Sequence, residues 1–307
     1  MPPSEAGLAR SEPSPSEPPT ALTGIVWLAS YPKSGNTWTR TFLHNLFALM
    51  QGQDAEQDIN AINEFTTWDL AAKRYEPHLG KPILQASRDE IAAVRPRVQA
   101  EIAAETPGLA LVKTHHALVL DRGHPTLNFA VTSGAVYLVR NPLDVAVSYA
   151  HHMGATIDDA IEQMGQAGLE TPVTDKSVYE VYGSWSSNVA SWTARPHRAV
   201  CVLRYEDLLD EPFGTFARLA RHLMLRPTPE QMDEAIARSS FERLRAQEDA
   251  HGFREKPDSA ERFFREGKSG QWRKALSRRQ VRRVVEAHAE QMGRFGYLSD
   301  DIAHLAR

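Results

Sequence analysis

Four short runs of uninterrupted apolar, β-favouring residues punctuate the chain: "GIVWLA" (24–29), "LALVKT" (109–114), "GAVYLVR" (134–140) and "RAVCVLRY" (198–205). Continuous rather than alternating apolar character predicts strands covered on both faces, as in a parallel sheet between layers of helices. Enough chain separates successive runs for a crossover helix. The first run leads into "TWTRTFLHNLFALM", where Trp38, Phe42, Leu46, Phe47 and Met50 recur at helical spacing. The third leads into "NPLDVAVSYAHHM" and the fourth into "EDLLDEPFGTFARLARHL". Repeated strand–turn–helix units predict an α/β fold with an open, mainly parallel central sheet flanked by helices. Segments 51–105 and 152–185 read as irregular or helical insertions over the strand ends. The stretch "SRRQVRRVVEAHAEQMGRFGY" reads as a closing helix with Ser277 at its N-cap.

Composition narrows the function. The 307 residues are 42% hydrophobic and carry a net charge of −4, so nothing marks the surface as built for nucleic acid or an anionic membrane. Any anion site must be local. The single cysteine, Cys201, excludes an intrachain disulfide and, within an apolar run, reads as a buried structural thiol in a reducing compartment. No stretch approaches the roughly 18 apolar residues of a membrane helix. The first 22 residues hold six prolines with Ser and Glu and have no apolar signal core. They predict a disordered leader over 1–22, then one domain over 23–307, in a cytoplasmic protein.

In open α/β sheets, ligands bind at the carboxyl ends of the strands. The chemically interesting residues fall there: Lys33 and Ser34 after the first run, Lys113 to His116 after the second, Arg140 after the third, Arg204 and Tyr205 after the fourth. In "YPKSGNTW" (31–38), Gly35 permits a tight turn and the following amides open a helix, which is a natural anion site. Lys33 adds charge, and Ser34 and Thr37 add hydroxyl donors. The Walker pattern is absent because no glycine-rich run precedes Lys33. No acidic residue for Mg²⁺ stands at a later strand end, so chemistry without a metal is expected.

Three segments then carry a specific resemblance. "YPKSGNTW" resembles the 5′-phosphosulfate loop of the sulfotransferases that use PAPS (3′-phosphoadenosine 5′-phosphosulfate). "VYLVRNPLDVAVSYAHH" is similar to that family's 3′-phosphate segment, and "FFREGKSGQW" to its third signature, a glycine-containing loop over the nucleotide. The order and distances match those of the cytosolic type across about residues 24–298. The resemblance implies a P-loop-kinase-like fold, with PAPS as donor and PAP (3′,5′-adenosine bisphosphate) as product. It implies that Lys33, Ser34, Gly35, Asn36 and Thr37 grip the phosphosulfate and that Trp38 touches adenine. Arg140 and Ser148, eight residues apart as in the family, would bind the 3′-phosphate. An ion pair between Arg140 and Asp144 is the competing role for that arginine. Tyr205, Ser239 and Phe241 match nucleotide-contacting positions, as do Phe263, Arg265 and Gly267. Glu266 departs from the lysine common in animal members. It is expected to point away from the 3′-phosphate, with Lys268 supplying the lost charge.

The resemblance also makes His115 the general base and Lys113 an electrostatic partner. Independently, a hydroxyl attacking sulfur must lose a proton, and a neutral imidazole suits that task near neutral pH. His116 competes, but adjacent strand residues point to opposite sides, and His115 is favoured. The expected reaction is in-line transfer to a hydroxyl of a small, phenolic or alcoholic acceptor, with Lys33 stabilising the leaving oxygen. His151 and His152, with Phe65, Trp68, Tyr75, Tyr182 and Trp185, are candidates to line the acceptor pocket. Oligomeric state is left open. The rival readings are a P-loop small-molecule kinase and a non-catalytic nucleotide-binding module.

Overall fold

β1 (Gly24–Ser30) is buried along its whole length, and the rest of the fold is arranged about it. It pairs in parallel with β3 (Leu109–Thr114) on one side and β6 (Thr132–Val139) on the other. The outer positions belong to β2 (Thr67–Trp68), beside β3, and β7 (Val200–Arg204), beside β6. The sheet order is therefore β2-β3-β1-β6-β7 with every pairing parallel. A separate two-stranded antiparallel hairpin joins β4 (Leu120–Asp121) and β5 (His124–Pro125). This computed structural model describes residues 23–306. The leader expected over 1–22 lies outside the described residues.

Side-chain parity along the strands splits the interior into two layers. Ile25, Trp27 and Ala29 of β1 join Tyr137 and Val139 of β6 beneath the helices Arg88–Glu105, Pro142–Met153 and Arg278–Arg294. Leu28, Val136 and Leu138 face the other way, beneath the helices Asn36–Met50 and Pro212–His222. There Phe42 stacks on Phe216 with ring centroids 3.8 Å apart, each such burial contributing about 1.5–3 kcal/mol. The four expected strands and the Ser277-capped closing helix are present. β3 and β7 nevertheless alternate buried and half-buried residues instead of being covered on both faces. The cause is position: β7 is an edge, and β3 is shielded by only the two residues of β2.

The chain leaves β1 for the β2–β3 side and later crosses to β6 and β7 on the other side. This reversal opens a crevice at the carboxyl end of β1, the place where doubly wound sheets bind ligands.

Candidate active site

The crevice begins in backbone geometry. After Ser30 the chain enters the left-handed region twice, at Lys33 (φ 66°) and Gly35 (φ 102°). Gly35 is the N-cap of the helix Asn36–Met50, and no side chain caps that helix. Its first amides and the positive end of its dipole are thus left for an anion. Gly35 is required twice over, since a Cβ there would lie 2.8 Å from Cδ2 of Tyr205. Asn36 lines the crevice but turns its carboxamide back, donating to the Leu28 carbonyl at 2.8 Å, and so ties the helix to β1. The Ser34 hydroxyl is fully buried without a hydrogen-bond partner.

Around this loop lies a cavity of about 640 Å³. Lys33, Lys113 and Arg140 bring three cations to its wall. Burial, then the charges of Arg140 and Lys113, push the Lys33 ammonium down to about 7, against the weaker pull of Glu255 and Glu248. Its Nζ stands 4.2 Å over the Phe263 ring. The Arg140 guanidinium donates to the Lys33 carbonyl at 2.9 Å and the Lys268 carbonyl at 3.2 Å, and lies 4.2 Å over the Tyr205 ring. It makes no ion pair with Asp144. That carboxylate instead accepts from the amides of Gly270 (2.7 Å) and Trp272 (3.0 Å), pinning the glycine-containing segment over the cavity. Ser148 lines the same wall, in the second turn of the helix that follows Arg140.

The aromatic side of the cavity holds Trp38 and Tyr205, packed edge to face at 5.7 Å, with Phe241 and Phe263 beyond them. Gly267 (φ 61°) approaches Phe241 so closely that a Cβ would fall 2.3 Å from the ring. Two carboxylates from elsewhere fix this region. Glu248 accepts from the amides of Phe263 (2.7 Å) and Phe264 (2.8 Å), and Glu255 accepts from Arg40 at 2.8 Å.

Two expectations differ from what the structure places here. The buried Ser239 hydroxyl donates to the Ala235 carbonyl at 2.8 Å, satisfied within its own helix, and its neighbour Ser240 lines the cavity instead. Glu266 is among the lining residues, and its exposed carboxylate is paired with Arg265 at 2.7 Å, which also bonds Gln271. Lys268 is exposed and contributes its carbonyl rather than its charge.

At the opposite end, beyond β3, His115 and His116 separate as strand geometry requires. His116 is buried, with Nδ1 accepting from the Val181 amide at 2.9 Å. His115 lines the cavity, and its Nδ1 lies 2.8 Å from the Ser30 carbonyl, an acceptor only. Nδ1 must therefore carry the hydrogen, which leaves the Nε2 lone pair available. Burial, then Lys113, hold this imidazole well below its usual range, so it is neutral at physiological pH. Glu180, which the sequence reading did not single out, accepts from the His115 amide, and burial raises its carboxyl to about 7. His152 also lines the cavity, held down to about 3 by burial and by Lys33 and Lys113. Of the candidate aromatics, Trp68 and Tyr182 line this end, whereas Tyr75 and Trp185 are core and Phe65 packs on His44 and Phe47. Among the described residues no group of three or more His, Cys, Asp or Glu side chains is arranged to hold a metal ion.

A parallel α/β sheet with an uncapped helix start, three converging cations and a neutral imidazole in one crevice defines a nucleotide-dependent group-transfer enzyme. The comparisons specify which. The family model for the sulfotransferase domain matches residues 24–296, and the chain belongs to that family. It is therefore a PAPS-dependent sulfotransferase. Dog sulfotransferase 1A1 is 26% identical over 277 residues (86% of this chain, 82% of the relative). Flavonol 3-sulfotransferase of Flaveria bidentis is 24% identical over 286 residues (88% and 82%). In fold, the chain resembles a retinol dehydratase in complex with androsterone and PAP (TM-score 0.60, 21% identity, 87% of this chain and 80% of that one). It also resembles a mouse sulfotransferase complexed with PAP (TM-score 0.58, 19% identity, 92% and 88%). Among the described residues, no helix is long and apolar enough to cross a membrane.

Proposed function

We propose that this protein, as one sulfotransferase domain over residues 23–307, sulfates a hydroxyl of a small acceptor with His115 as general base. The observation that carries the reading is the fixed tautomer: Ser30 holds Nδ1–H, so Nε2 faces its task as a neutral acceptor. The residues present fit the nucleotide. The buried hydroxyl of Ser34, the Nε of Arg140 and the Nε1 of Trp38 lack protein partners, and no side-chain cap competes for the helix start. Bound, PAPS supplies a sulfuryl group on a 5′-phosphate. Lys33, Gly35, Asn36 and Thr37 would hold that end, with Ser34 beneath them, and Arg140 and Ser148 would hold the 3′-phosphate. The nucleotide site is completed by Trp38, Tyr205, Phe241, Phe263, Arg265 and Gly267, with Ser240 at the wall in place of Ser239.

The division of labour follows from position. His115 removes the acceptor's proton at Nε2. Lys33 presents an ammonium where the departing oxygen gains charge, and Lys113 lends its charge between the two, as in-line transfer requires. Trp68, Leu70, Tyr149 and Tyr182 supply an apolar wall for a compact, ring-sized acceptor. Cys201, a buried free thiol, supports the cytoplasmic setting expected from its sequence context. Incubation with sulfur-labelled PAPS and a panel of phenols and alcohols tests the reading. Label should pass to at least one hydroxyl acceptor in the wild type and to none with His115→Ala. Transfer undiminished by that substitution would reject His115 as the base.

A further inference from the structure

Three carboxylates line the cavity among the described residues: Glu180, Glu255 and Glu266. Two are already matched. Glu255 pairs with Arg40 and Glu266 with Arg265. Glu180 has no ion-pair partner within 4 Å, although it is only 5% exposed. One of its oxygens, Oε1, accepts from the His115 amide and from the Thr114 hydroxyl at 3.4 Å. The other oxygen is not sealed from the cavity, and although the Tyr182 phenol lies beside the carboxylate, no well-formed hydrogen bond joins them. Burying a carboxylate in this condition is costly unless something binds it.

The backbone that carries Glu180 is tied down on both sides. The Val178 amide donates to the Leu70 carbonyl (2.9 Å), the Ala117 amide to the Val181 carbonyl (2.7 Å), and the Val181 amide to His116. Next to it, the Tyr179 hydroxyl bonds Asp121 at 2.5 Å, and Asp121 in turn receives the buried Arg95 at 3.0 Å. Above about pH 7, where it is ionised, Glu180 is thus a preorganised hydrogen-bond acceptor beside the base, of the kind that fixes ligand orientation. A site built to receive a donor discriminates strongly against a ligand lacking one, because its own polar group is left unpaired.

We infer that Glu180 is an acceptor-specificity residue, whose free oxygen receives a hydrogen bond from a second O–H or N–H group close to the reacting hydroxyl. The acceptor class is then vicinal diols, catechols and 2-amino alcohols, in preference to lone alcohols or phenols. This deepens the sulfotransferase reading and rests on it. The Lys113 ammonium on the same wall favours a neutral second hydroxyl over an ammonium within that class.

The test uses matched pairs, phenol against catechol and cyclohexanol against trans-1,2-cyclohexanediol, with the wild type and Glu180→Gln. The glutamine keeps an oxygen for the His115 amide but replaces the free acceptor oxygen with a donor. The wild type should favour the two-donor member of each pair by at least tenfold in kcat/KM. Glu180→Gln should cut that ratio at least tenfold, whatever happens to absolute rates, and a purely structural role would leave the ratio alone. Thermal stabilisation by PAP shows whether each protein is folded and nucleotide-competent, and separates failure of the enzyme reading from failure of this inference. A wild type that binds PAP but shows no two-donor preference, or turns over neither member of either pair, overturns the inference, as does an unchanged ratio in the variant.

Discussion

The Nδ1 of His115 and the carbonyl oxygen of Ser30 lie 2.8 Å apart, joining the end of β3 to the end of β1. The contact sets the tautomer, while burial and Lys113 keep the ring neutral against the carbonyl's opposing pull toward the charged form. His115→Asn should therefore lower kcat by about 10²–10⁴-fold while leaving PAP affinity within a few-fold of wild type. Single-turnover rates beside PAP titrations check this. Because the imidazole is held well below its ordinary value, the acidic limb of the wild-type rate profile should lie clearly below pH 6.5.

Lys33 gives a second pH dependence of opposite direction. Its ammonium is depressed to about 7 in the free protein, by burial and by Arg140 and Lys113 against Glu255 and Glu248. A bound phosphate favours the charged form and raises that value, so binding takes up a proton above pH 7. PAP affinity should be highest below pH 7 and decline above it, by up to about tenfold per unit. Calorimetric titration between pH 6 and 9 in buffers of differing ionisation heat reads both effects, and Lys33→Arg should flatten the profile.

Gly267 and Gly80 separate steric clash from backbone strain. Both have positive φ, 61° and 66°, but a Cβ meets Phe241 at 2.3 Å in the first case and nothing within 4 Å in the second. Gly80→Ala should cost about 1 kcal/mol. Gly267→Ala should cost more and should also weaken PAP binding, because Phe241 lines the cavity. Urea unfolding and PAP titration of the two variants make the comparison.

Asp144 is 1% exposed and receives two backbone amides of the closing segment. Asp144→Ala leaves the buried Trp272 amide and the half-buried Gly270 amide without that partner and should destabilise by about 2–4 kcal/mol. It should also loosen PAP binding, since the segment from Phe263 to Gln271 contributes much of that wall. A destabilised variant with wild-type PAP affinity would show that the pinned segment does not shape the nucleotide site.

The parts of this fold legible in the sequence are those with local signals. Four strands declared themselves by apolar runs, and the phosphate loop by a glycine between a strand and a helix. β2 and the β4–β5 hairpin were invisible, because two residues carry no periodicity. In the site, His115 could be ranked above His116 from chain alternation and a family resemblance. Glu180 and Glu255 could not be found that way: their partners, His115 and Arg40, lie 65 and 215 residues away. Glu266 is similar: repulsion from a phosphate is legible in the sequence, whereas its pairing with the adjacent Arg265 is not. The weak signal available was the Arg-Glu order itself.

The crevice at the end of β1 should take a 3′-phosphorylated adenosine nucleotide, with Arg140 and Ser148 placed for its 3′-phosphate. Thermal stabilisation by PAP, ADP and ATP·Mg²⁺, measured side by side, tests it most directly. A ligand at 100 times its Kd adds about 2.7 kcal/mol, so PAP should raise the melting temperature by several degrees, with ADP and ATP·Mg²⁺ far weaker. Stabilisation by ATP·Mg²⁺ with no response to PAP would contradict the account.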